Sequence, residues 1–170
     1  MKTRKKLIYP DLALRRISKP IEEVTPEIHK IISDMWHVMD TESALGLSAI
    51  QINVPLNIVT IRVDKKNYTL INPEYIFHST EEVVSEEGCI SIPGYFDRVL
   101  RSKYIKIKYN NKNMEPRELE ADNLLSFVIQ HEMDHLYGIL FVDKLSELKR
   151  IKAKTRVKRF LRKHKDYLDI

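Results

Sequence analysis

Apolar residues recur at helical spacing in the first third of the chain. Their separations of three and four residues place them on one face of a helix. Thr25 followed by Pro26 is typical of a helix start, where threonine caps the end and proline fits the first turn. The pattern predicts a helix from Thr25 to about Asp40, with a buried face formed by Ile28, Ile31, Ile32, Met35, Val38 and Met39.

The middle of the chain contains short segments rich in β-branched and aromatic residues. In one of them, Ile105, Ile107 and Tyr109 alternate with lysines, which is the period of a strand with one buried face. We expect these segments to form antiparallel strands. They are NIVTIRV (57–63), NYTLI (67–71), EVVSEEG (82–88) and YIKIKYN (104–110).

Two further helices are predicted near the C-terminus. The apolar segment LLSFVIQHEMDHLYG (124–138) follows Asp122 and Asn123, either of which can cap it, and Gly138 ends it. Residues 146–168 predict a second helix, on the surface. Strands in mid-chain and helices at the ends indicate an α+β fold in a single domain spanning 1–170. We expect antiparallel or mixed sheets around the central helix at 124–138, with the N-terminal helix and the basic C-terminal helix outside.

Positive charge is concentrated in the predicted C-terminal helix. Residues 148–165 contain ten Lys or Arg and no acid, so the rest of the chain carries −5 although the whole carries +5. A solvated face is the usual role of such a run. Ten unopposed charges repel one another along one helix, however, and this favours an anionic partner such as nucleic acid or an acidic surface.

Cysteine content and hydropathy bear on the compartment. A single cysteine forms no internal disulfide, and no apolar stretch reaches the roughly 20 residues of a membrane helix. The basic N-terminal segment is interrupted by Pro10 and Asp11 before any apolar run long enough for a signal peptide. We expect a protein of the reducing cytosol that does not span a membrane.

The predicted helix at 124–138 carries a metal-binding pattern. His131 and His135 are four residues apart and project from one face, with Glu132 beside them. The alternative is a pair of buried histidines that only form hydrogen bonds. Catalytic sites of the zinc type use three protein ligands, and the long protease signature would supply the third at position 141, which is Phe141 here.

Cys89 is the candidate third ligand. It lies between Gly88 and the pair Pro93-Gly94, so its backbone is predicted to follow an irregular path. A thiolate suits a divalent metal that is already bound by imidazoles, but a free cysteine is also often a small buried side chain. Four histidines are rival ligands. His29 and His164 lie in polar or basic stretches and are expected to be solvated. His37 and His78 remain possible ligands.

Gln51 ends a loop that begins near Gly46. Its side-chain amide can donate a hydrogen bond to a developing oxyanion. The alternative is a polar residue at the edge of a strand.

Three segments, in this order, resemble the motifs of the peptide deformylase family. The family patterns are G-x-G-L-A-A-x-Q, E-G-C-x-S and Q-H-E-x-D-H-L-x-G. This chain has ALGLSAIQ (44–51), EGCIS (87–91) and QHEMDHLYG (130–138). It departs from the family at Ala44, where glycine is usual, at Ser48 and at Ile90. The similarity covers essentially the whole chain and is to the bacterial type with a long C-terminal helix.

The resemblance implies an activity and a set of roles. The family removes the formyl group from the N-terminal formylmethionine of newly made proteins and releases formate. It uses one divalent metal, here at Cys89, His131 and His135; ferrous iron is expected, and Zn, Ni or Co may substitute. Glu132 would transfer protons, while the Gln51 amide and the Ile90 backbone N–H would stabilise the oxyanion.

Substrate contacts and partners are also implied. Phe127 and Val128 would line the methionine pocket, and Gly46 and Leu47 would lie along the substrate backbone. Arg101 would either meet the peptide further along or form an ion pair with a glutamate, Glu42 or Glu87. The family implies docking near the ribosomal exit tunnel through the basic helix, and we expect a cytoplasmic monomer.

Two other functions remain open. One is a metalloendopeptidase in which a glutamate is the third ligand. The other is a non-enzymatic nucleic-acid-binding protein with a structural metal.

Overall fold

The computed structural model describes residues 6–168, which form three α-helices and seven strands. Short 3-10 helices lie at Leu12–Arg15, Ala49–Ile52, Phe141–Lys144 and Lys165–Leu168. The main elements are α1 (Pro26–Glu42), β1 (Gly46–Ser48), β2 (Ile58–Val63), β3 (Lys66–His78), β4 (Glu82–Gly88), β5 (Phe96–Ser102), β6 (Tyr104–Asn110), β7 (Pro116–Asp122), α2 (Asn123–Leu136) and α3 (Glu147–Lys163).

The strands form two antiparallel sheets. Five strands pair in the order β1-β2-β3-β6-β7, and β4 pairs with β5 in a separate two-stranded sheet. Helix α2 packs against β1 and β2 of the larger sheet and against β5 of the smaller one. The predicted α+β class with antiparallel sheets is confirmed, and α2 contacts both sheets.

Helix α1 follows its sequence pattern closely. The Thr25 hydroxyl accepts a hydrogen bond from the Ile28 N–H at 3.3 Å, and Pro26 occupies the first turn. The six apolar residues of the predicted face are the buried residues of this helix. The helix ends at Glu42, two residues later than predicted, because Ser43 adopts a left-handed conformation with φ of 52°. Ala44, which replaces a family glycine, therefore needs no positive φ.

Strands β5 and β7 were not predicted from the sequence. Strand β5 has an alternating pattern, but one of its buried positions is Arg101, so it lacks the expected apolar face. Strand β7 pairs only with β6 and buries only Ala121. A polar sequence is normal for such an edge strand. Strand β3 is also longer than NYTLI and continues through Pro73 to His78 with shifts in register.

The C-terminal helix is shorter than the predicted range 146–168. Helix α3 ends at Lys163, and residues 165–168 form a separate 3-10 turn. Aromatic packing accounts for this end: the Phe160 ring stacks on His164 at 4.3 Å and meets the edge of Tyr167 at 4.9 Å. The chain therefore turns back toward the body of the protein. Within residues 6–168, no helix combines the length and the apolar character that crossing a membrane requires.

An ion pair joins α3 to the smaller sheet. Lys149 contacts the Asp97 carboxylate at 2.7 Å, and the Tyr95 hydroxyl donates to the same carboxylate at 2.6 Å. Lys149 first, and then Tyr95, lower the pKa of Asp97 from 3.8 to about 2. A carboxyl group whose pKa is lower in the folded state than in the unfolded state stabilises the fold at pH values above its unfolded-state pKa. This stabilisation is lost as the pH falls through the folded-state pKa.

We expect Asp97→Asn to lower the free energy of unfolding at pH 7, because the charged contacts are lost. The difference from wild type should shrink as the pH falls below about 4 and should be nearly absent by about pH 2. Urea unfolding at pH 7, 5 and 3 measures this trend. Lys149→Met is the control and should reproduce the loss at pH 7. A deficit of Asp97→Asn that is equally large at pH 7 and pH 3 would contradict the assignment.

Candidate metal-dependent active site

The three predicted metal ligands lie together. Cys89 follows the end of β4, and His131 and His135 lie one turn apart on α2. The ligand atoms of these residues lie within 4.8 Å of one another, and Cys89 Sγ is 3.4 Å from His135 Nε2. Within residues 6–168 this is the only such cluster of His, Cys, Asp and Glu. A thiolate and two imidazoles at this spacing fit one divalent cation.

The rival histidines lie outside this cluster. His29 and His37 are exposed on α1. His78 packs on Tyr75, with ring centroids 4.0 Å apart, and His164 stacks on Phe160. None of these four histidines therefore lies in the cluster with Cys89.

A carboxylate orients the first histidine. Glu87 Oε2 is 2.7 Å from His131 Nδ1, which leaves Nε2 for the ligand cluster. Arg101 donates two bonds to Glu87, at 2.7 and 2.9 Å, and one to Asp134 at 2.6 Å. Burial opposes the charge of Glu87, but Arg101 and His131 outweigh it and lower the pKa to about 2. The second histidine has no such support, since His135 Nδ1 has no hydrogen-bond partner within residues 6–168.

The two interpretations of Arg101 are separated by its position. Its side chain is 3% exposed, its guanidinium bonds two carboxylates, and it is not among the described residues of the pocket wall. This favours the ion pair with Glu87 over a contact with substrate. Glu42, the other suggested partner, pairs with Lys6 instead. Leu47 is likewise fully buried in the core, which restricts any substrate contact to its backbone.

The two histidines differ in their electrostatics. Burial, followed by the nearby charge of His131, lowers the pKa of His135 well below its ordinary value. A neutral imidazole is the form that binds metals. Burial also disfavours charge on His131, but hydrogen bonds with Cys89 and Glu87 outweigh it and raise its pKa. The surroundings therefore favour opposite protonation states in the two histidines.

Glu132 lies beside the ligands and is only 4% exposed. Burial raises its pKa to about 7, against the opposing effects of His131 and of a hydrogen bond from Ser48. The Ser48 hydroxyl is 2.6 Å from the Glu132 backbone oxygen and 3.0 Å from Oε2. A carboxyl with a pKa near neutrality is well suited to accept and return a proton.

Ser48 is a site residue whose role sequence reasoning did not find. The available signal was a hydroxyl in an apolar loop, because a fully buried hydroxyl almost always has a partner. The same loop positions Gln51. Its Oε1 accepts from the Ser48 N–H at 2.8 Å, and its Nε2 is 3.3 Å from Cys89 Sγ and 3.2 Å from Ser91 Oγ. Gln51 therefore contacts the thiol of the candidate ligand Cys89 directly.

Gly46 is required by the close approach of Glu132. A Cβ at this position would lie 2.7 Å from both Cγ and Oε1 of Glu132. We expect Gly46→Ala to displace the Glu132 carboxylate, which can move because it ends a flexible side chain. Catalytic turnover should fall about 10²-fold, which is the typical effect when a catalytic group is displaced by about 1 Å. Thermal stability should change little. Activity of the metal-loaded protein and its melting temperature measure the two effects. Ala44→Gly in the same loop is the control, and equal losses in both variants would contradict this explanation.

An open cavity of about 630 Å³ lies beside the cluster. Its wall includes the predicted residues Gly46, Gln51, Ile90, Phe127 and Val128, together with Cys89, His131 and Glu132. Residues that were not predicted complete the wall, chiefly Leu124, Phe96, Phe160 and Tyr167. The apolar side chains of this wall suit an apolar substrate side chain.

A family model described as polypeptide deformylase matches residues 4–151. The chain belongs to the polypeptide deformylase family. The peptide deformylase of Buchnera aphidicola subsp. Schizaphis graminum is 47% identical over 168 residues, which cover 93% of this chain and 100% of that protein. The peptide deformylase of Rhodopseudomonas palustris strain TIE-1 is 45% identical over 157 residues, which cover 88% and 90%.

Solved structures give the same relationship. The crystal structure of a peptide deformylase from Legionella pneumophila matches with a TM-score of 0.91 at 37% identity, covering 95% of this chain and 96% of that one. A peptide deformylase from Ehrlichia chaffeensis, solved in complex with actinonin, matches with a TM-score of 0.89 at 32% identity, covering 96% and 98%.

Membership of the family shows the activity. The chain is a metal-dependent deformylase that removes the N-formyl group from nascent peptides. The resemblance carried by the three sequence motifs is confirmed, and the metalloendopeptidase alternative is not favoured.

Proposed function

We propose that the catalytic reaction takes place between Glu132 and the cluster of Cys89, His131 and His135, on the N-terminal formylmethionine of new proteins in the cytoplasm. The observation that carries the proposal is the convergence of these three ligand atoms within 4.8 Å, beside a buried carboxyl and an apolar cavity. A divalent cation held there supplies Lewis-acid chemistry, which acidifies water and polarises a carbonyl group.

Glu132 is the proposed proton carrier. Its carboxylate takes a proton from the attacking water and delivers one to the leaving amine of the substrate. Its raised pKa, about 7, supports both steps because neither form is strongly disfavoured at neutral pH. Ser48 limits the movement of the carboxylate through its two contacts.

The Ile90 N–H and the Gln51 amide are the proposed donors to the oxyanion. Each well-directed donor can stabilise the transition state by about 3 kcal/mol. Gln51 Nε2 already bonds Cys89 Sγ and Ser91 Oγ. The bond to Ser91 is the one that we expect the oxyanion to replace, because the Ser91 hydroxyl can rotate to another partner.

The substrate backbone is proposed to extend along β1. This strand is the edge of the larger sheet, and the Leu45 carbonyl accepts from the Arg62 N–H of β2 at 2.7 Å. In the alternating pattern of an antiparallel pair, the backbone groups of Gly46 then point away from β2, toward the pocket. A peptide can add to such a free edge. Its methionine side chain would pack against Phe127 and Val128.

Ferrous iron is the proposed metal. One thiolate and two imidazoles also accept Zn, Ni or Co, so the ligand set alone does not select iron. We expect anaerobically purified protein to contain iron and to lose most of its activity after replacement with zinc. Full activity with zinc alone would contradict the proposal.

The reaction is tested by formate release from formyl-Met-Ala-Ser, compared with cleavage of an internal bond in an unformylated peptide. We expect formate from the first substrate and no cleavage of the second. Internal cleavage without formate release would overturn the proposed reaction.

We further propose that the monomer docks on the ribosome near the exit tunnel through the exposed basic face of α3. Only Ala153 and Val157 of this helix are buried, and most of its cations are exposed. Replacing Lys154, Lys158 and Arg162 with glutamine should abolish co-sedimentation with ribosomes at low salt. Formate release from the free peptide should not change. A matched control replaces three lysines outside α3, namely Lys65, Lys66 and Lys108, with glutamine. Unchanged co-sedimentation of the α3 variant would contradict docking through this helix.

A further inference from the structure

The residue that carries the proposed oxyanion donor lies in a tight turn. The Ile92 N–H bonds the Cys89 carbonyl at 2.8 Å, so Ile90 and Ser91 are the two central residues. The hydrogen bond of a turn does not involve its middle peptide group, here the one between Ile90 and Ser91. The orientation of the peptide between Ile90 and Ser91, and with it the Ile90 carbonyl, therefore depends on contacts from outside the turn.

Tyr167 supplies such a contact from the C-terminal segment. Its hydroxyl donates to the Ile90 carbonyl at 3.0 Å, between residues 77 positions apart in the chain. Burial, followed by the nearby carboxylate of Glu42, raises the pKa of Tyr167 above its ordinary value. The hydroxyl thus keeps its proton at neutral pH and remains a donor.

Tyr167 is itself held by two other side chains. The Lys6 ammonium lies 3.4 Å from the centroid of its ring, and Lys6 is 1% exposed and paired with Glu42. The Phe160 ring meets it edge to face, with centroids 4.9 Å apart. Glu42, Phe160 and Tyr167 also form part of the pocket wall. Burying a charged lysine requires desolvation, and apolar side chains of similar volume would stabilise the fold at least as much at this position.

We propose that Tyr167 is a positioning residue of the active site, which holds the turn at Ile90 through its hydroxyl. The Ile90 N–H shares a peptide plane with the Cys89 carbonyl, which accepts the turn hydrogen bond. A contact that stabilises the turn at the Ile90 carbonyl therefore also helps to hold the direction of the Ile90 N–H. The inference rests on the role proposed above for the Ile90 N–H. It makes the segment after α3 a part of the catalytic machinery, in addition to any docking through the basic helix.

The test is Tyr167→Phe in the full-length, metal-loaded chain, which keeps the ring and removes only the hydroxyl. We expect kcat for formyl-Met-Ala-Ser to fall roughly fivefold to tenfold, the effect of one lost hydrogen bond, while KM changes less than twofold. Hydrogen exchange of the backbone amides of residues 89–92 should become faster in the absence of substrate. This second measurement does not depend on activity.

Tyr95→Phe is the matched control. Tyr95 is a buried tyrosine whose hydroxyl bonds Asp97 at 2.6 Å rather than the turn. Its loss should lower the melting temperature by a similar amount and leave both kcat and exchange at 89–92 unchanged. If Tyr167→Phe behaves like this control, the hydroxyl is only structural and the inference is wrong. If wild type releases no formate, the proposed reaction fails, while the exchange measurement still decides whether Tyr167 holds the turn.

Discussion

Glu132→Gln is expected to release formate about 10² to 10⁴ times more slowly than wild type while it keeps its fold and its metal. Glutamine has the shape of glutamate but cannot accept the proton of the attacking water. The three proposed metal ligands, Cys89, His131 and His135, are untouched by the change. Because burial already disfavours the charge of Glu132, the neutral amide should not lower the free energy of unfolding at pH 7.

Metal content, melting temperature and kcat together measure this result. Ser48→Ala is the matched control, since it removes the hydroxyl that contacts Glu132 and leaves the carboxylate in place. We expect that control to lose less than about tenfold in kcat, as for one hydrogen bond. A Glu132→Gln variant that keeps its metal and retains more than a tenth of wild-type activity would show that another group carries the proton.

Local patterns predicted the parts of the fold in which one face is uniformly apolar. Helix α1 and the inner strand β6 have this property, and both lie where their periodicity indicated. Strands β5 and β7 were not predicted because the residues that stabilise them lie in other elements of the fold. The buried Arg101 of β5 is satisfied by Glu87 and Asp134, and β7 is a polar edge strand held by β6.

In the candidate site, too, some residues follow from local patterns and others depend on distant segments. The pair His131 and His135 follows from helical spacing alone, and the family motif joined Cys89 and Gln51 to it. Local patterns did not identify the partners in contacts between distant segments. The hydroxyl of Ser48 meets Glu132 from 84 positions away, and Tyr167 reaches Ile90 only because α3 ends at Lys163. In the predicted helix over 146–168, Tyr167 would continue the same helix. Nothing in the charge pattern of this segment marks a helix end at Lys163.

The largest expected effect on stability belongs to Arg101→Met. Arg101 is buried and bonds both Glu87 and Asp134, which ties the smaller sheet to α2. Methionine fills a similar volume but leaves the buried Glu87 carboxylate without its main counter-charge. Breaking a buried ion pair in this way typically costs about 3–5 kcal/mol in the free energy of unfolding. Because Glu87 also orients His131, we expect metal affinity to fall about tenfold to a hundredfold.

The same strand provides the matched control. Arg98 is 74% exposed, and its ion pair with Glu86 spans 3.9 Å, so Arg98→Met should cost less than about 1 kcal/mol. Urea unfolding compares the two variants, and metal titration compares their affinities. The double variant Arg101→Met with Glu87→Gln should recover part of the lost stability, because the unpaired charge is then removed and glutamine can still bond His131. If Arg101→Met lost no more than Arg98→Met, the buried ion pair would contribute nothing to the fold, and the orientation of His131 would have to depend on packing alone.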